Sequence, residues 1–294
     1  MNQTVSGRII KSHGRRFIVE IDGQHYDSTT RGKRTDYACG DHVFAQIQNK
    51  EQAVIEKAHE RQSLLYRCDG NKSKLIAANV TQIVIVLAAV PTFSEEFLNR
   101  CLIAAEASNI KPLIVLNKTD LPEAAAARIQ LAPYRKLGYS LLELSALGDV
   151  SALRNALQHE VSVLIGQSGM GKSTLTNALI PEAAARTGEI STALDTGKHT
   201  TTHAALYLLD DQGSALIDSP GLQAFGLFHL SSRELAECFP EMRPYLGQCR
   251  FHNCAHLVEP GCRVIAATQE GVILPKRLEL LQRLTRDLSA SHDR

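Results

Sequence analysis

The sequence predicts a multidomain α/β protein: a small N-terminal β-barrel, a central domain built on a parallel sheet, and a short C-terminal metal-binding module. Three observations lead there. Residues 5 to 60 contain five short runs of alternating or β-branched character, and from residue 80 continuous apolar runs alternate with longer helical stretches. Between residues 249 and 262 cysteine and histidine crowd into one loop. A chain of 294 residues, 44% hydrophobic and 21% charged, can bury one large core plus one or two small modules.

The five N-terminal runs are VSGRIIK, FIVEI, QHYDST, HVFAQI and AVIEKA. Asp22-Gly23 lies between the second and third and marks a hairpin, because both central positions of a type I′ turn need positive φ. Five strands in about sixty residues suit an OB-fold. An SH3-like barrel would give the same pattern. Residues 1 to 34 hold seven basic side chains (Arg8, Lys11, Arg15, Arg16, Arg31, Lys33, Arg34) against Glu20, Asp22 and Asp27, an excess that suits RNA phosphates although the net charge of the whole chain is only +1.

From residue 80 the order is TQIVIVLAAV, a helix over about 95–108, PLIVLN, a helix over about 122–137, YSLLELSA, a short helix, then VSVLIG. Unbroken apolar strands separated by helices mean a parallel sheet covered on both faces. The longest apolar run, residues 83–90, is far short of a membrane span, and residues 1–16 lack the apolar core of a secretory signal, so a cytoplasmic protein is expected. Seven cysteines then read as reduced thiols or metal ligands rather than a disulfide framework.

GQSGMGKS, residues 166–173, follows an apolar strand and opens a helix. Gly166, Gly169 and Gly171 let the backbone of Gln167, Ser168, Met170 and Thr174 curl around phosphate oxygens at a helix N-terminus. Lys172 would neutralise β- and γ-phosphate charge, and Ser173 would bind Mg²⁺. DSPG, residues 218–221, follows the apolar run SALID. Asp218 would hold Mg²⁺ through water and Gly221 would offer its N–H to the γ-phosphate. TGKHTT, residues 196–201, lies between these motifs, as a switch segment should, with Thr201 or Thr200 as a further Mg²⁺ ligand. Leu222 stands where many such enzymes carry a water-positioning glutamine, and a leucine can neither donate to nor accept from water. His199 is the candidate to orient that water.

Asn117, Lys118 and Asp120 form N-K-x-D directly after PLIVL. A carboxylate there accepts from guanine N1–H and the 2-amino group together, a pairing adenine cannot make, so a site built this way discriminates strongly. Ser145 and Ala146, again at a strand end, supply the second edge of a base pocket. The base loops precede the phosphate loop, the reverse of the usual order. Ligands of open α/β sheets bind at the carboxyl ends of strands wherever those strands fall in the chain, so the site reads as that of a circularly permuted P-loop GTPase domain.

Cys249, Cys254, His256 and Cys262 fall within CRFHNCAHLVEPGC, and three thiolates with one imidazole form a common closed zinc set, with His252 as a fifth candidate. One Zn²⁺ per chain is expected. Cys39, Cys68, Cys101 and Cys238 are scattered and read as packing residues. A charged helix over about 275–287 carries Lys276, Arg277, Arg283 and Arg286, a second possible RNA contact.

With NKTD, GQSGMGKST, GKHTT, DSPG and the late Cys/His cluster in this order, the chain resembles the ribosome small subunit-dependent GTPase A family along nearly its whole length. The resemblance implies an N-terminal OB-fold, a permuted GTPase core and a C-terminal zinc domain. It also implies GTP hydrolysis stimulated by the small ribosomal subunit, a role for His199, and a zinc set of Cys249, Cys254, His256 and Cys262 without His252. The expected division is residues 1–65, 66–230 and 231–294. The expected partners are the small subunit with its rRNA and GTP or GDP with Mg²⁺, for a monomer that engages no membrane. An RNA-binding zinc protein holding GTP as a slow structural ligand would share these motifs, and subunit-stimulated hydrolysis separates the two readings.

Overall fold

The computed structural model describes residues 4–32, 36–69, 72–180, 204–218, 227 and 230–292. The five N-terminal strands are β1 (Thr4–His13), β2 (Arg16–Ile21), β3 (Gln24–Thr30), β4 (His42–Ile47) and β5 (Gln52–Ala58). They run in the order β1-β2-β3-β5-β4, and β4 pairs back onto β1 to close the barrel. β3 and β5 are parallel and the other pairs antiparallel, the Greek-key barrel of an OB-fold. Alternation does the sorting: Ile9, Phe17, Val19, Ile21, Val43, Ala45 and Ile55 fill a core of their own. Asp22 and Gly23 both take positive φ, 49° and 76°, as the hairpin requires. A register shift between Ile9 and Lys11 kinks β1, and Lys11 beyond it pairs with Ala205, joining the barrel strands and those of the central domain into one continuous sheet.

β6 (Leu64–Asp69) and β7 (Lys72–Ala78) form a hairpin beside the barrel. Sequence reasoning passed it over, although Asp69-Gly70-Asn71 between two strand-like runs is a turn signal. Then come β8 (Gln82–Ala88), α1 (Glu95–Ala107), β9 (Lys111–Asn117), α2 (Ala124–Lys136), β10 (Ser140–Glu143), α3 (Ser151–Ala156), β11 (Val161–Ile165), α4 (Lys172–Leu179), β12 (Ala205–Leu208) and β13 (Ala215–Asp218). Their order is β10-β9-β8-β11-β13-β12, with only β12 antiparallel to its neighbour. Every residue of β8 is buried, as expected of a strand covered on both faces.

The C-terminal module comprises α5 (Ser232–Glu237), a 3₁₀ turn (Arg243–Tyr245), α6 (Arg263–Gln269) and α7 (Pro275–His292). Ser231 and Glu234 form a capping box that starts α5. The apolar stripe Leu281, Leu284 and Leu288 of α7 joins the same core as the parallel sheet, whereas the barrel core is separate. Lys276 pairs with Glu95, Arg277 with Glu241, and Arg283 with Glu96; of the three cations only Arg277 is buried, while Lys276 and Arg283 stay exposed. The sequence could not show that α1 presents Glu95 and Glu96 to Lys276 and Arg283. Among the described residues no helix is long and apolar enough to cross a membrane.

Candidate functional site

Four strand ends place the motif residues. β9 ends at Asn117, β10 leads into Ser145 and Ala146, β11 leads into Gly166, and β13 ends at Asp218. These strands are parallel to one another or linked through parallel β8, so their carboxyl ends open on one edge of the sheet. The base motif and the phosphate loop, separated by about fifty residues of sequence, therefore meet.

Asn117 joins them. It is 1% exposed, donates through Nδ2 to the Met170 carbonyl at 2.9 Å, and accepts at Oδ1 from the Ala146 N–H at 2.9 Å. One side chain thus ties the N-K-x-D loop to the phosphate loop and to the Ser145-Ala146 loop. Lys118 adopts φ +60° and donates from Nζ to the Val90 carbonyl at 2.7 Å. Asp120 lies exposed beyond it, and Ser145 and Ala146 are half-buried.

The glycines of the phosphate loop answer to space and to φ. A Cβ on Gly166 would collide with the Val86 carbonyl, and one on Gly171 with Nδ2 of Asn117, while Gly171 also sits at φ +90°. Met170 is buried, Ser168, Ser173 and Thr174 are exposed, and α4 begins at Lys172. The Lys172 ammonium donates to the Gly166 carbonyl at 2.6 Å and to that of Gln167 at 2.9 Å. Burial pulls its pKa below the usual value, with nearby Asp218 acting in the other direction. Burial raises the carboxyl of Asp218, and Lys172 opposes that shift. A cation of higher charge facing Asp218 would relieve its desolvation. His199, Thr200, Thr201, Gly221 and Leu222 lie outside the described residues.

The second cluster is Cys249, Cys254, His256 and Cys262, whose donor atoms all lie within 4.8 Å of one another. His256 Nδ1 stands 3.7, 3.6 and 3.3 Å from the sulfurs of Cys249, Cys254 and Cys262, and Cys249 and Cys262 are 3.9 Å apart. Metal–sulfur bonds of about 2.3 Å and metal–nitrogen bonds of about 2.0–2.1 Å make tetrahedral edges of roughly 3.8 and 3.6 Å, so the residues fit a tetrahedral ion. Burial pushes the Cys254 and Cys262 thiols up, an environment in which thiolates need a cation. His252 is exposed and outside the set, while Cys39, Cys101 and Cys238 are buried and remote from it.

Sequence reasoning missed the groups that shape this loop. Glu259 accepts from the N–H groups of Ala255, Leu257 and Val258 at 2.7–3.0 Å, and Gln282 of α7 donates to the carbonyls of His256 and Leu257. They hold His256 at φ +60°. An acid between two metal ligands was the available signal for Glu259, whereas Gln282 had none.

The RsgA GTPase family model matches residues 58–228, more than half of the chain. The chain belongs to the RsgA GTPase family. A relative named small ribosomal subunit biogenesis GTPase RsgA, from Neisseria meningitidis serogroup B, is 56% identical over 289 residues, covering 98% of this chain and 93% of its own length. Another of the same name from Burkholderia pseudomallei is 50% identical, with the same coverage. Among solved structures, YjeQ from Thermotoga maritima superposes with a TM-score of 0.76 at 26% identity, covering 97% of this chain and 99% of that one. YloQ, described as a circularly permuted GTPase, gives 0.73 at 26% identity over 98% and 96%. The RsgA fold thus comprises the barrel, the permuted GTPase core and the C-terminal Cys/His module.

Proposed function

We propose that this chain binds GTP and hydrolyses it as a maturation factor of the small ribosomal subunit, gripping rRNA through its flanking modules and leaving after hydrolysis. The bridging position of Asn117 supports this reading most strongly, because it makes two base loops and a phosphate loop into one site. Asp120 would select guanine, with Lys118, Ser145 and Ala146 framing the base. The backbone of residues 166–174 would bind the phosphates, and Lys172 would neutralise their charge. Ser173, Thr201 and Asp218 would hold Mg²⁺, Gly221 would contact the γ-phosphate, and His199 would orient water. The relatives named for small-subunit biogenesis support the choice of partner.

A Zn²⁺ at Cys249, Cys254, His256 and Cys262 would staple the C-terminal module. We divide the chain into residues 1–65, 66–230 and 231–294, the first boundary falling within β6 so that most of the hairpin counts with the GTPase unit. The protein would act as a cytoplasmic monomer. Nucleotide selectivity tests the site. Asp120→Asn replaces an acceptor with a group that pairs with xanthine, so preference should move from GTP to XTP. Unchanged GTP affinity would remove Asp120 from the base pocket.

A further inference from the structure

Arg277 of α7 is 5% exposed, between the C-terminal module and α1. Its Nε donates to Glu241 at 2.5 Å, its Nη1 donates to Oδ1 of Asn99 on α1, and its guanidinium lies 4.5 Å from the centroid of the Phe239 ring. Asn99 is buried too, and its Oδ1 also accepts from the Tyr134 hydroxyl of α2 at 3.2 Å. The exposed pairs Lys276–Glu95 and Arg283–Glu96 flank this contact. Exposed pairs contribute little, whereas a buried, charge-assisted fork fixes geometry.

The N-terminus of α1, less than two turns from Asn99, meets the phosphate loop. Its capping residue Ser94 donates its N–H to Oε1 of Gln167 at 2.9 Å. Just upstream, Val90 accepts from Lys118, and a Cβ on Gly169 would stand 3.1 Å from the Pro91 ring. From Ser94 to Asn99 is five residues, roughly 7.5 Å of helix. So short a rigid segment passes a displacement along its axis instead of absorbing it. At the far end of the route, Gln282 of the same α7 holds the carbonyls of His256 and Leu257.

We propose that α7 and α1 form a brace that sets the position of the phosphate loop, with Arg277 and Gln167 as positioning residues at its two ends. Movement of the C-terminal module is then felt at the nucleotide through Arg277, Asn99, Ser94 and Gln167. The functional consequence rests on the reading of residues 166–174 as a nucleotide loop; the mechanical link does not.

The test uses the full chain carrying Glu241→Gln with Arg277→Met, which removes both partners of the buried pair and leaves no unpaired charge. Arg277→Lys is made alongside it: this variant keeps a cation for Glu241 but loses the planar fork that reaches Asn99, and is the milder perturbation of folding. Two quantities are measured in the native and Gln167→Ala backgrounds: amide exchange over residues 162–176 without nucleotide, and affinity for a fluorescent GDP analogue. Both variants should speed exchange in the loop and weaken the analogue about fivefold, and both effects should largely vanish once Gln167 is alanine. Unchanged exchange in folded variants, or equal effects in both backgrounds, would overturn the brace. If the native chain binds no guanine nucleotide, the nucleotide reading falls, and the exchange arm still decides the mechanical link.

Discussion

Truncating Asn117 to alanine removes a donor from the Met170 carbonyl and an acceptor from the Ala146 N–H. Each buried polar group left without a partner costs about 1–3 kcal/mol. Asn117→Ala should therefore lower the urea midpoint and weaken guanine nucleotides at least tenfold, measured by denaturation and titration on the same preparation. Asp218 supplies a pH test. Burial raises its carboxyl, so the folded chain holds that proton more tightly than the unfolded chain does. Stability from this group is thus present below the ordinary carboxylate range and lost as pH rises through the folded value. Asp218→Asn, which cannot ionise, should melt higher than the native chain at pH 7, with the gap closing toward pH 4. The same variant should bind Mg²⁺-nucleotide less well. Equal melting temperatures at pH 7 would show that Lys172 compensates the buried charge.

Elements whose pattern matched their surroundings were legible. β8, buried throughout, and β9, buried from Leu113 to Asn117, read as apolar runs, and β4 was predicted over the residues it occupies, His42–Ile47. β12 was missed because four residues carry too little periodicity, and α5 and α6 because six or seven residues show less than two turns. The Cys/His set was legible from composition, since ligands of one ion lie close in this loop. The role of α7 was not, because its cations read as an RNA contact, and the acids that pair with three of them, Glu95, Glu96 and Glu241, lie far off in sequence. A metal-stapled loop resting on α7 predicts a local response to metal loss. Elemental analysis should find one zinc per chain. Cys254→Ala or a strong chelator should expose residues 243–262 to protease while guanine nucleotide binding weakens only modestly. Absence of zinc, with all seven thiols reacting freely in the folded protein, would remove the metal site.

The permuted chain order is a consequence of where strands pair, not of which comes first. β8 lies between β9 and β11, so the base loop and phosphate loop become neighbours although the chain visits them in reverse. Permutation also puts the barrel directly before the core, where Lys11 of β1 pairs with Ala205 of β12 and Cys39 bridges to Ala77. β12 leads by register to Asp218, which pairs with Ala205 across the two strands. A partner that moves the barrel thus pulls on a strand beside the phosphate site. Hydrolysis should accordingly be slow in the isolated chain and fast when rRNA docks on the flanking modules, with the basic residues of the N-terminal sequence making binding fall steeply with salt. The decisive measurement is the GTP hydrolysis rate of the full chain with and without isolated small ribosomal subunits, alongside binding of its GTP and GDP forms to those subunits. Strong acceleration, with the GTP form bound in preference, is the expected result. A rate indifferent to the subunit, with both forms bound equally or neither bound, would contradict the proposal that this GTPase acts in small-subunit maturation.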